Sequence, residues 1–134
     1  MSLSRIRFLA LLAPIALLAG CAPGVVVEGE IDESTAVGER SSWVVEILND
    51  ESDTTGSQWE SVLDESFLEQ MSADEMAALI NEDLRPEGPF EIVRFEAAGP
   101  DAVTTLQGAE EEIALSISTT DEGDIEGIFF SPAS

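Results

Sequence analysis

Few side chains in this sequence can do chemistry beyond proton exchange at a carboxylate, and the first of them is a thiol. Cys21 is the single cysteine of 134 residues, and it follows Leu18-Ala19-Gly20, so small residues lead the backbone up to a nucleophilic sulfur. One cysteine makes no disulfide within the chain, and without histidine a Cys/His zinc cluster is excluded. The missing histidine also removes Ser-His-Asp and Cys-His relays. All five basic residues are arginine, so neither a Schiff-base lysine nor a phosphate-loop lysine is present. Tyrosine, a common oxyanion donor, is absent too. What remains is a large stock of carboxylates, 28 Asp and Glu in all.

Three of these, Glu91, Glu96 and Glu112, fall in strand-like segments. A carboxylate held in an apolar pocket can act as a general base because burial raises its pKa. The commoner role for such residues is the solvated face of a half-covered sheet. Asp50, Glu51 and Asp53 form one acidic group, and Asp121, Glu122, Asp124 and Glu126 form another. Neither follows the alternating oxygen ligands, central Gly and closing Glu of a calcium loop, so no dedicated metal site and no cofactor is expected. Trp43, Trp59, Phe90, Phe95, Phe129 and Phe130 can line a ligand pocket or fill a core, and their spacing favours the core. Arg94 can meet a substrate anion or form a structural ion pair, the commoner use.

The first twenty residues, MSLSRIRFLALLAPIALLAG, differ from the rest. Arg5 and Arg7 precede an apolar run from Phe8 to Leu18, broken only by Pro14 and closed by small residues, the layout of an export signal. A run of about eleven residues is too short to span a bilayer, which takes roughly 20. Residues 21–39 then carry Pro, glycines and scattered acids without helical periodicity, although VVVEGEI can pair as a strand. They read as a tether of about 20–25 Å mean span. Beyond Cys21 three arginines face all 28 acidic residues, a side-chain charge of −25. Nucleic acid is therefore excluded as a partner, and anionic headgroups are disfavoured. Solubility or adaptation to salt accounts for such a surface, and so does a cationic partner or a divalent-ion-rich wall environment.

Residues 40–134 form one domain. The stripe Trp43, Val44, Ile47, Leu48 predicts a helix from Arg40 to Asn49-Asp50. A second helix is expected near Ser57, with Glu60 completing a capping box and Trp59, Val62, Leu63, Phe67 and Met71 on its inner face. A third starts at Ser72 with Glu75 as the reciprocal cap, carries Met76, Leu79, Ile80 and Leu84, and stops before Pro86-Glu87-Gly88-Pro89. From Phe90 the period changes to two: FEIVRFEA, AVTTLQG, EEIALSIST and IEGIFFSP are strands joined by Gly99-Pro100-Asp101 and Asp121-Glu122-Gly123-Asp124. Helices followed by closely spaced strands predict an α+β fold, N-terminal helices packed on a curved antiparallel meander.

Two resemblances sharpen this. Leu18-Ala19-Gly20-Cys21 resembles the lipobox of bacterial lipoproteins. The resemblance implies cleavage between Gly20 and Cys21, a diacylglycerol on the Cys21 thiol, and a lipid anchor on the extracytoplasmic face of the cell membrane. Trp43 to Pro132 resembles the cystatin-like domains related to nuclear transport factor and steroid isomerase. It is most similar to the N-terminal domain of Cpe/LpqF-type β-lactamase-like proteins. The carriers are Phe67-Leu68, Met71 to Met76, Gly88-Pro89-Phe90 and the closing Gly123 to Pro132. Those proteins continue into a serine-enzyme domain with a Ser-x-x-Lys motif, which a chain without lysine does not contain. The expectation is a membrane-anchored envelope lipoprotein with no catalytic residues of its own. Its domain binds or scaffolds a partner, such as a separate penicillin-interacting serine enzyme. The alternatives are a pocket for a small apolar ligand, with or without isomerase activity, and a remnant of a longer enzyme.

Overall fold

The computed structural model describes residues 24–133, so Gly20 and Cys21, with the cleavage and lipid attachment expected there, lie outside the described residues. The strands are β1 (Val25–Glu28), β2 (Glu91–Ala98), β3 (Asp101–Gln107), β4 (Glu112–Thr119) and β5 (Ile125–Pro132). Between β1 and β2 come four helices, α1 (Ala36–Asn49), α2 (Gly56–Glu60), α3 (Glu65–Leu68) and α4 (Ala73–Leu79). A π-helical turn, Ile80–Leu84, and a 3₁₀ turn, Arg85–Glu87, complete the helical part. The five strands lie in chain order, each antiparallel to the next. The fold is therefore α+β with an antiparallel meander.

Alternation along the strands decides which face is buried. Val27, Phe95, Thr104, Leu115 and Phe130 are successive cross-strand partners and share one face. Ile92, Leu106, Ile113 and Pro132 form a second row on the same face. Ile92 and Phe95 are three apart, which would put them on opposite faces of a regular strand. A register shift at Val93 restores the match, which is what a bulge does. The buried side chains of this face join Val37, Val44, Val45, Ile47 and Leu48 of α1 in one core.

Ordered structure reaches further toward the N-terminus than the boundary expected at Arg40. Val25 to Glu28 pair with Ala97 to Arg94, so part of the expected tether is an edge strand built from three β-branched residues. Helix α1 starts at Ala36, where the Thr35 hydroxyl accepts the Gly38 N–H at 3.2 Å. Gly38 is required by proximity, since a Cβ there would lie 1.9 Å from the Asp32 carbonyl oxygen.

The expected second helix is broken in two. Val62 and Leu63 both donate to the Trp59 carbonyl, after which the backbone turns to the sheet: Ile125 N–H donates to Val62 O and Asp64 N–H to Ile125 O, each at 2.7 Å. Asp64 then caps the new helix α3, accepting the Ser66 N–H at 3.0 Å. The reciprocal contact at the start of α2 involves Thr55 and Gln58 in place of Ser57 and Glu60, with Thr55 N–H donating to Gln58 Oε1 at 2.9 Å. The third helix is capped as expected, by Ser72 and Glu75.

Candidate functional site

Two asparagines anchor the helices that frame the site. Asn49, at the end of α1, donates to Phe90 O at 2.9 Å and accepts the Phe90 N–H at 2.8 Å, as a neighbouring strand would. This fixes the start of β2 just after the cis Gly88-Pro89 bond. Asn81, inside the π-helical turn, repeats the arrangement with Thr54, donating to its carbonyl at 2.9 Å and accepting its N–H at 3.0 Å. The Thr54 hydroxyl accepts the Trp59 indole N–H at 2.9 Å and donates to Gln58 at 2.7 Å. Trp59 is fully buried, its ring edge-on to that of Trp43 with centroids 4.8 Å apart. These hydrogen bonds lock α2 and the π-helical turn together.

Beyond that turn the packing opens. A cleft of about 720 Å³ runs between the helical segments and β5. Met76 and Ile113, both buried, are among the residues that line it. Half-buried Phe67, Met71, Leu79 and Leu84 line it from the helical side, and Ile128 and Phe130 from β5, the last strand of the sheet. The polar members of the lining are exposed Gln70, Asp83, Glu87 and Glu111 and buried Ser131, with no basic residue among them. Methionine and leucine give such a surface an adaptable apolar shape.

The carboxylates arrive from different segments. In the π-helical turn Arg85 N–H donates to Ile80 O, so the turn closes over five residues, and it carries both Asp83 and Leu84. Glu87 is brought toward Glu111 because Ala109 N–H donates to Glu87 O and Gly108 N–H to Glu111 O, both at 2.8 Å. Gly108 is the only residue that fits here: a Cβ would lie 2.9 Å from Glu87 O and 3.0 Å from the Phe90 ring. Arg85 does not neutralise the group, because its guanidinium donates to Asp53 at 2.6 Å and to the Asp50 carbonyl. The other described arginines are also engaged, Arg40 with Gly123 O at 2.8 Å and Arg94 with Glu96 at 2.9 Å.

The residues singled out from sequence divide clearly. Glu91 and Glu96 are exposed and Glu112 is half-buried, and none lines the cleft. Arg94 forms a partly exposed ion pair. Asp53 is held by Arg85, and the last turn is organised by the Thr120 hydroxyl and Asp124 backbone. Among the described residues no three acidic side chains converge where a metal could sit. Of the six aromatics, Trp59, Phe90 and Phe95 are core, Trp43 packs on Trp59, and Phe129 and Phe130 line the cleft. The cleft's helical residues were read from sequence only as inner faces of helices.

Among the described residues two carboxyls are shifted, both by local caps and neither in the cleft lining. Donation from the Ser66 hydroxyl, and then its N–H, holds the Asp64 carboxyl below the ordinary value of 3.8. Asp32 is lowered in the same way by the Ser34 N–H and hydroxyl.

The chain is thus an α+β domain with a largely apolar cleft at one edge of its sheet. The family described as "ORF 12 gene product N-terminal" matches residues 31–125, and the chain belongs to that family. No curated protein matches it. The match runs from just after β1 to the first residue of β5, so the β5 side of the cleft lies beyond it.

Proposed function

We propose that this protein is a lipid-anchored envelope lipoprotein whose domain, of the cystatin-like type, binds an apolar part of a partner in the cleft along β5. The cleft itself carries the reading: an opening of about 720 Å³ with Met, Leu, Ile and Phe in its lining exceeds what packing imperfection leaves in a core. The anchor rests on the export-signal layout and the lipobox-like Leu18-Ala19-Gly20-Cys21. A family described as the N-terminal part of a gene product fits a domain that works beside another, and a serine enzyme on a separate chain remains the partner of first choice.

Two measurements test this. Cys21→Ser should remove the lipid mass from the N-terminal peptide and release the protein from the membrane fraction; an unlipidated wild-type Cys21 would end the anchoring part. A photo-crosslinking residue at Leu79 of the full chain in cells should trap an envelope protein, and the same residue at exposed Glu46 should not. Equal trapping at both positions would remove the cleft from the mechanism.

The volume also suits a small apolar ligand, the second reading. Its isomerase form needs a carboxylate at depth, but Asp83, Glu87 and Glu111 are all exposed. A ligand retained in native mass spectrometry, with no crosslink from Leu79, would move the small-ligand reading ahead.

A further inference from the structure

The rim gives the cleft a sign. Asp83, Glu87 and Glu111 come from the π-helical turn, the 3₁₀ turn and the β3–β4 connection, and no basic residue lines the cleft with them. Their side chains have no hydrogen bond or ion pair among the described residues, while Arg85 and Arg94 are paired with Asp53 and Glu96. Three carboxylates beside an apolar surface repel an anionic occupant, and a neutral one can only hydrogen-bond at Gln70, Ser131 or the carboxylates themselves, without the Coulomb attraction a cation gains. A cation there is attracted by all three, at the edge of a low-dielectric cleft.

Resting on the reading of the cleft as the binding site, we propose that its occupant is a protein segment with apolar side chains flanked by Lys or Arg. The apolar side chains fill the space between Met76, Leu79 and Ile128, and the basic residue meets the rim. Charge complementarity of this kind sets partner choice and association rate more than total affinity.

The test uses the full chain, anchor included, in phosphatidylcholine nanodiscs, with binding to empty discs subtracted. Fluorescence anisotropy compares short peptides of alternating Leu/Lys, Leu/Gln and Leu/Glu. The Leu/Lys peptide should bind about tenfold more tightly than Leu/Gln at low ionic strength, and the advantage should shrink as salt screens it. The triple variant D83N/E87Q/E111Q should lose that advantage. The triple variant E46Q/E60Q/E122Q, equal in charge and away from the cleft lining, should keep it. All six positions are exposed, so both variants should keep the wild-type Tm. Equal loss in the two variants would assign the effect to overall charge and overturn the proposal. Equal binding of Leu/Gln and Leu/Lys would overturn it while leaving the cleft as a binding site. Failure of every peptide, or binding that survives Leu79→Trp, would take down the cleft reading as well.

Discussion

The segment Ala73–Leu84 serves two regions of opposite character. Asn81 turns into the corner of Thr54 and Trp59, where the Thr54 N–H, carbonyl and hydroxyl and the Trp59 indole N–H are all hydrogen-bonded and both residues are buried. Met76, Leu79, Asp83 and Leu84 face the cleft, where Leu79 and Leu84 are only half-buried and the Asp83 carboxylate has no partner among the described residues. The same stretch of helix thus carries stability on one side and an unfilled surface on the other. Substitutions in the corner should act on folding, and substitutions at the cleft should act on binding.

The largest effect belongs to Trp59. Replacing it with Ala removes a fully buried indole and leaves Thr54 without its donor, which should cost about 3–5 kcal/mol in urea unfolding. A loss under about 1 kcal/mol would mean that the corner does not hold the helices. Asn81→Ala should cost about 1–3 kcal/mol, because the Thr54 N–H and carbonyl both lose a partner. Gly108→Ala carries the comparison to the cleft. Its Cβ would press on Glu87 O and the Phe90 ring, so a cost of about 1–3 kcal/mol should come with a loss of the preference for Leu/Lys peptide. Destabilisation with the preference intact would show that the rim does not depend on the Glu87–Glu111 approach.

How much of this is legible in the sequence follows from which contacts are local. The Ser72/Glu75 cap and the period-two strands depend on neighbours a few residues apart, and both stand where the sequence puts them. The break in the second helix does not: it exists because Val62 and Asp64 spend their backbone groups on Ile125, more than sixty residues away in sequence. The Thr55–Gln58 contact was missed because Gln58 also accepts from Thr54, a preference set by the Trp59 corner. The cleft was hidden for a different reason. Met71, Leu79 and Leu84 have the helical periodicity of core residues, and period alone does not say whether the facing surface is filled. Its rim joins turns that the Ala109–Glu87 bond brings together across more than twenty residues of sequence.

The smallest expected effect tests where the boundary between the two regions lies. Asp64 caps α3, which carries Phe67 to the cleft, and the Ser66 hydroxyl and N–H hold its carboxyl below 3.8. Because the folded-state pKa is the lower one, ionised Asp64 adds stability above the unfolded value near 3.8, and that contribution fades as pH falls through the folded pKa. Asp64→Asn keeps a good capping oxygen but not the charge. The Tm difference between wild type and variant should therefore be present and constant at neutral pH, then close as pH falls below about 4, the ordinary Asp range. Asp32 titrates in the same direction in both proteins, so it does not enter the difference. If Asp64→Asn also weakens Leu/Gln peptide binding at neutral pH, the α3 cap belongs functionally to the cleft. If only the acid limb of stability moves, the α3 cap serves folding, and binding at the cleft does not depend on it.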